Sequence, residues 1–339
     1  MVVVIMKEVY IVTGANGFLG NNIVRKLLEK DLEVRCLVLL DDKIKAIEGL
    51  NCKIYRGDVT KKETLDEIFK VDSDTKLYVI HCAAIVYIKS KYNPKVMEVN
   101  YDGTKNIVEK VLEKNAKLVY VNSVHAITEK PNKEKMTEIY DFDPDKVKGL
   151  YAKSKAKTAK MVLEEVKEKG LDASIVHPSG IIGPGDYSDT HLTQLILDIA
   201  NGSLRAFVKG GYDFVDVRDV ADGIISCCKN GKKGECYILS NRYVDVKELV
   251  NLITKATNTK KIKTILPMWI ARVTAPLSEI YYKLRKEPPL YTRYSLYTLT
   301  SNSNFSNEKA KKELGFKNRS MEETINDTVK WLRENKTIK

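Results

Sequence analysis

Three glycines, Gly14, Gly17 and Gly20, stand in the segment Thr13-Gly14-Ala15-Asn16-Gly17-Phe18-Leu19-Gly20, directly after the apolar run Val9-Tyr10-Ile11-Val12. The residues that follow, Asn21 to Lys30, carry Ile23, Val24, Leu27 and Leu28 at the spacing of one helix face. A strand that turns sharply into a helix through glycines has few uses. The turn removes side chains where backbone must approach a bulky anion, and the helix N-terminus offers unpaired N–H groups and a partial positive charge. A glycine triplet alone is weak evidence. At the first strand–helix junction of an alternating chain it points to a pyrophosphate cradle on a parallel sheet.

The alternation continues through the first half. Val34–Leu40, Cys52–Tyr55, Leu77–Cys82, Lys117–Val121 and Ala173–Val176 read as buried strands, and Gly103–Glu113 as a helix between them. Strands alternating with helices predict an α/β fold, a doubly wound (Rossmann) parallel sheet with helices on both faces. Beyond Pro178 the pattern changes at the turn cluster Gly183-Pro184-Gly185-Asp186, and Tyr237–Leu239 is expected to return as an edge strand. The expected organisation is a dinucleotide-binding domain over 1–178, with 212–239 returning to it. A smaller C-terminal substrate domain is assigned to 179–211 and 240–339, closed by a polar helix at Met321–Glu334.

Lys and Arg number 57 against 45 Asp and Glu, a net charge of +12. The lysines are spread along the chain and no nucleic-acid-binding motif accompanies them, so a solvated basic surface that attracts anionic cofactors is the expectation, with no nucleic-acid partner. Cys36, Cys52, Cys82, Cys227, Cys228 and Cys236 contain no C-x-x-C pair. We read a reduced, cytoplasmic protein without disulfides or a metal site. The most apolar late stretch, Ile262–Tyr282, is broken by Pro267, Arg272, Pro276 and Glu279 and is not a membrane span.

Tyr151 and Lys155, in Tyr151-Ala152-Lys153-Ser154-Lys155, share a helix face at i and i+4. A phenol titrates near pH 10. A cation about 4 Å away favours the phenolate by roughly 4 kcal/mol at an effective dielectric near 20, before desolvation opposes it. That would bring Tyr151 toward the working range of a general acid. Asn122-Ser123 ends the fifth strand, at the carboxyl edge where open α/β sheets bind ligands, and a hydroxyl there can donate to a carbonyl oxygen.

Together these residues resemble the extended short-chain dehydrogenase/reductase family over essentially the whole chain. The resemblance also rests on Gly57-Asp58-Val59-Thr60, His81-Cys82-Ala83-Ala84, Asn100-x-x-Gly103-Thr104-x-Asn106, His177-Pro178-Ser179-Gly180, Val215-Asp216-Val217-Arg218-Asp219 and Lys309-Ala310-x-x-Glu313-Leu314-Gly315-Phe316. Pro288-Pro289-Leu290 is similar to the dihydroflavonol-reductase-like and aldehyde-reductase-like branch. The resemblance implies that Ser123 polarises a substrate carbonyl, that Tyr151 moves the proton, and that Lys155 holds the nicotinamide ribose. It further implies that Gly14, Asn16, Gly17, Phe18 and Leu19 line the pyrophosphate, Asp58 and Val59 the adenine, and Ala83 and Ala84 the ribose side. Pro178 and Ile181 would sit near the nicotinamide, and His125 would line the substrate pocket with Ser123 and Tyr151.

Departures matter as well. The branch's 2′-phosphate-binding Arg falls on Leu39; Asp41 and Asp42 suit a 2′-OH, whereas Lys43, Lys45 and Arg35 suit a phosphate. NADP and NAD both stay open, with the family leaning slightly to NADP. Val124-His125 replaces the Asp-Glu pair of the sugar-nucleotide dehydratases, and Ile238 and Ser240 replace residues usual in epimerases. The leading expectation is an NAD(P)H-dependent reductase of a small ketone or aldehyde. The alternatives are a sugar-nucleotide epimerase with retained NAD and a non-catalytic nucleotide-binding sensor or scaffold. A homodimer through the Tyr/Lys helix is the quaternary expectation from the family.

Overall fold

Both faces of the first strand are apolar. Val9 and Ile11 point into one buried cluster, and Tyr10 and Val12 into another. A strand buried on both sides belongs in the middle of a covered sheet, and the computed structural model, which describes residues 6–88, 91–275 and 292–336, places it there. Seven strands form one parallel sheet in the order β10-β6-β5-β4-β1-β2-β3. These are β1 (Glu8–Thr13), β2 (Glu33–Val38), β3 (Lys53–Arg56), β4 (Lys76–His81), β5 (Lys117–Val121), β6 (Ala173–Pro178) and β10 (Cys236–Leu239). The order reverses between β1 and β4, the switch point at which such sheets leave a crevice. Pro288-Pro289-Leu290 and residues 276–282 of the apolar stretch lie outside the described residues.

Helices cover both faces. On one side α1 (Phe18–Leu28) and α6 (Val217–Asn230) bury Ile23, Val24, Leu27, Val220 and Ile224 against Tyr10, Val12, Val119 and Val121. On the other, α3 (Gly103–Glu113) follows the short α2 (Pro94–Met97), and α4 (Leu150–Lys169) packs beside it. Small residues at Ala152, Ala156 and Ala159 let α4 lie close to the sheet, beside Leu118 and Tyr120 of β5. Gly170, at φ +72°, ends α4 with a left-handed cap.

β10 does return as an edge strand, with Cys236 opposite Ile175. The carboxylate of Glu138 accepts from the N–H of Ile238 at 3.0 Å, satisfying a donor that no strand meets. Residues 211–216 depart from the expectation that 212–239 returns as a whole. They form β9 (Gly211–Asp216), which lies between β7 (Gly180–Ile182) and β11 (Arg242–Asp245) in a separate sheet. Those two strands complete its hydrogen bonding on both sides. A third pairing joins β8 (Ala206–Val208) to β12 (Thr264–Leu266). Later helices are α5 (His191–Ala200), α7 (Val246–Thr257), α8 (Arg293–Thr298), α9 (Glu308–Leu314) and α10 (Met321–Asn335). Among the described residues no helix is long and apolar enough to cross a membrane.

The first turn shows why glycine is needed twice. Gly14 has φ +66°, and a Cβ there would lie 2.9 Å from the amide nitrogen of Ala83; a Cβ on Gly20 would lie 2.1 Å from the carbonyl oxygen of Gly14. Neither neighbour is a flexible side-chain end. We therefore expect Gly20→Ala to cost about 2 kcal/mol in urea unfolding by overpacking α1 against its own turn. Gly202→Ala, at φ +71° with open space around it, should lose only about 1 kcal/mol from the left-handed backbone.

Candidate active site

The carboxyl ends of β1, β4, β5 and β6 bring most of the expected residues to one edge. Gly14, Asn16, Gly17, Phe18 and Leu19 form the β1–α1 turn. Asp58 and Val59 follow β3, Ala83 and Ala84 follow β4, Ser123 follows β5, and Pro178 and Ile181 end β6 and occupy β7. Gly17 stands at the N-cap of α1 without a side-chain cap, and no acidic residue lies in the first turn. An uncapped, acid-free helix start behind a close-packed glycine turn fits the pyrophosphate of a dinucleotide.

A buried thread of hydrogen bonds holds this edge together, and its direction can be worked out bond by bond. The N–H of Ala83 donates to Thr13 Oγ1 at 3.1 Å, and the Thr13 hydroxyl lies 2.7 Å from His81 Nδ1. His81 Nε2 lies 3.0 Å from Thr104 Oγ1, whose own proton goes to the carbonyl of Asn100 at 2.7 Å. The imidazole thus carries its proton on Nε2. Burial pushes its pKa down to about 3, so the ring stays neutral, donating from Nε2 to Thr104 and accepting at Nδ1 from the Thr13 hydroxyl. Asn100, in the wide turn Glu98–Asp102, accepts from Ile85 N–H at 2.7 Å and donates to Ser154 Oγ at 2.9 Å. Ser154 in turn donates to the carbonyl of Tyr151 at 2.7 Å. The glycine turn, the loop after β4 and helix α4 are one hydrogen-bonded body.

Ser123, Tyr151 and Lys155 are all buried. Tyr151 meets Ser123, whose hydrogen bond favours the phenolate, but burial outweighs it and pushes the phenol up to about 12. Lys155 Nζ faces β5, donating to the carbonyl of Val121 at 2.7 Å and to the hydroxyl of Tyr120 at 3.4 Å. Desolvation pulls its pKa down to about 7. The dryness of the site penalises both charged forms, which helical spacing does not report.

His125 occupies the pocket side. Its ring stacks on Tyr212 with centroids 5.6 Å apart and meets Tyr151 edge-on at 6.2 Å. The hydroxyls of Tyr212 and Tyr294 lie 3.4 and 3.3 Å from Nε2 and Nδ1 respectively. Burial lowers the His125 pKa to about 4, so one ring nitrogen donates to one tyrosine while the other accepts. Tyr294 reaches this position across Gly149, where a Cβ would lie 2.5 Å from its ring. Val124, His125, Tyr212, Tyr294, Tyr297 and Phe305 help line a cleft of about 490 Å³. The Tyr297 hydroxyl donates to Glu129 at 2.7 Å. Among the described residues no group of three His, Cys, Asp or Glu could hold a metal.

Sequence reasoning missed Tyr212 and Tyr294, which enter from elements far along the chain. It also missed how the loop after β2 is held. Asn16 Nδ2 donates to Asp42 Oδ2 at 3.1 Å and to the Lys43 carbonyl at 2.8 Å, and its Oδ1 accepts from Ala46 N–H at 3.1 Å. Arg56 Nη1 donates to the carbonyls of Leu39, Leu40 and Asp42 at 2.8, 3.2 and 2.8 Å. Leu39 itself is 55% exposed. Arg35 is not free for a 2′-phosphate: it is buried, with Nη1 donating to the carbonyls of Ile68 and Lys70 at 2.9 and 2.6 Å.

A model of the NAD dependent epimerase/dehydratase family matches residues 10–240. Sterol demethylase protein B of Methylococcus capsulatus is 28% identical over 330 residues, covering 96% of this chain and 98% of that protein. A putative dihydroflavonol 4-reductase of Synechocystis is 26% identical over 339 residues, covering 98% of this chain and 97% of its own. Among solved structures, that of gox2253 matches with a TM-score of 0.83 at 31% identity, over 98% of this chain and 99% of that one.

The Lys155 environment yields a stability prediction. Its folded pKa of about 7 lies below the unfolded value of about 10.4, so between these values the unfolded chain binds more protons and stability rises with pH. Relative to Lys155→Met, the natural protein should gain up to about 1.4 kcal/mol per pH unit from pH 7 to 10, with a constant gap below pH 7. Urea unfolding across this range measures it; a gap that does not change with pH would contradict a desolvated Lys155.

Proposed function

The chain belongs to the NAD dependent epimerase/dehydratase family, and we propose that within it the protein is an NAD(P)H-dependent reductase of a ketone or aldehyde with a flat, apolar body. The observation that carries this reading is the pairing inside the cleft. The hydroxyls of Tyr212 and Tyr294 are directed at His125 and that of Tyr297 at Glu129, so the aromatic wall of the cleft meets its own polar partners and turns carbon surface to a ligand. The half-buried rings of Tyr294 and Tyr297 add aromatic surface to the cleft for an apolar ligand. The names of relatives add support: one is called a dihydroflavonol reductase and another a sterol demethylase protein.

In the proposed reaction Ser123 donates its hydroxyl proton in a hydrogen bond to the substrate carbonyl oxygen. Tyr151 delivers a proton to that oxygen as negative charge develops there. Lys155 holds a proton at Nζ beside the ribose position, and its charge favours the departing Tyr151 proton. A reduced nicotinamide, when bound, supplies the hydride. Phe18 and Leu19 would receive the pyrophosphate through backbone N–H groups at the start of α1, Gly14 and Gly17 would line it without side chains in the way, and Asn16 would line it while holding the loop beside it. Asp58 and Val59 would meet the adenine, Ala83 and Ala84 the ribose, and Pro178 and Ile181 the nicotinamide. The loop after β2 offers Asp42 to a 2′-OH and Lys43 and Lys45 to a 2′-phosphate, so both NAD and NADP enter the proposal.

The test begins with the nucleotide carried by freshly purified protein, then titration with NADH and NADPH and a survey of aryl aldehydes and ketones. A reductase should release and rebind reduced cofactor reversibly and oxidise it when an aryl carbonyl is added; near-stoichiometric NAD that never exchanges would instead mark an epimerase. Tyr151→Phe should lower kcat about 10²–10⁴-fold while cofactor Kd stays within about twofold. Full activity in that variant would remove Tyr151 from the proton path.

A further inference from the structure

Tyr120 has a feature that strand packing does not call for. It sits on β5 among Leu118, Ile175 and Ala156 on the α3/α4 side, fully buried, where a phenylalanine would fill the same volume. A buried hydroxyl costs stability unless it is partnered. Its partners are Lys155 Nζ at 3.4 Å and the hydroxyl of Thr158, nearly one turn farther along α4. Thr158 is itself fixed by donation to the carbonyls of Asn100 and Ser154 at 3.0 and 2.8 Å. The Tyr120 ring lies under the same amino group, 4.9 Å from Nζ to the centroid, and stacks against His81 with centroids 6.0 Å apart.

The other groups around Lys155 are neutral at neutral pH. They are Tyr151 from its own helix, Cys82 and His81 from the end of β4, and His177 from β6. Burial pushes Tyr151 and Cys82 up to about 12 and lowers His81 to about 3 and His177 to about 4. Among the described residues no carboxylate supports the ammonium there. What holds it is the Val121 carbonyl, the Tyr120 oxygen and the negative face of the Tyr120 ring.

We propose that Tyr120 is the positioning residue for Lys155, holding its amino group against β5 in the charged form through hydroxyl and ring together. The inference rests on the role given to Lys155 above, but its readout needs no substrate and stands or falls apart from turnover. Urea unfolding is followed from about pH 5 to 10 for the natural protein, Lys155→Met, Tyr120→Phe and the double variant. As pH falls, each protein that keeps Lys155 loses stability relative to its Lys155→Met counterpart until Lys155 is protonated in the folded state, and there the gap stops widening. In the Tyr120→Phe pair that point should lie about one pH unit lower, a tenfold weaker hold on the proton. A loss of packing alone lowers stability at every pH and leaves the point unmoved. Tyr120→Leu, which removes ring and hydroxyl together, should move it at least as far and serves if the Phe variant does not fold. The same point in the variants as in the natural protein overturns the proposal.

Discussion

One neutral imidazole holds the candidate site in register. His81 ends β4 and uses both ring nitrogens, one toward β1 and one toward α3, so three elements meet on a single ring. Charging it would turn the acceptor Nδ1 into a second donor, facing a threonine that already gives its proton in that direction. Burial prevents this, and the polarity of the thread runs one way from Ala83 to the turn of Asn100. Through Asn100 and Ser154 the same order reaches the backbone of Tyr151. The glycine turn and the residue proposed to move a proton are therefore not independently adjustable.

The same dryness sets the electrical character of the site. A phenol and an amine share a helix face here, each penalised by desolvation when charged, and no carboxylate among the described residues supports the amine. The amine responds by turning to a backbone carbonyl and an aromatic face. Both groups lie within reach of small perturbations: a hydrogen-bonding ligand at this edge would shift their proton affinities by more than it would in water.

Much of this was readable in advance because it is local or periodic. The central strands announce themselves as apolar runs, and the glycine turn, Ser123 and the Tyr151/Lys155 spacing mark the edge where the site lies. The short strands β8, β11 and β12 carry no such signal, since three or four residues have no period to display, and β9 is defined by partners on either side of it in sequence. The walls of the cleft were hidden for a related reason. Tyr212 and Tyr294 stand 87 and 169 residues beyond His125, and no local pattern joins them. The direction of Lys155 was missed because spacing reports proximity and is silent about desolvation.

The side chain of Asn16 makes the glycine turn and the loop after β2 a single preformed surface. A ligand spanning both need not freeze one against the other, so the ordering entropy that weakens many nucleotide sites was already lost when the chain folded. The consequence appears in adaptability. In the proposed binding mode, recasting the loop for a different ribose would loosen the turn assigned to the phosphates, so cofactor preference and cofactor affinity would have to evolve together.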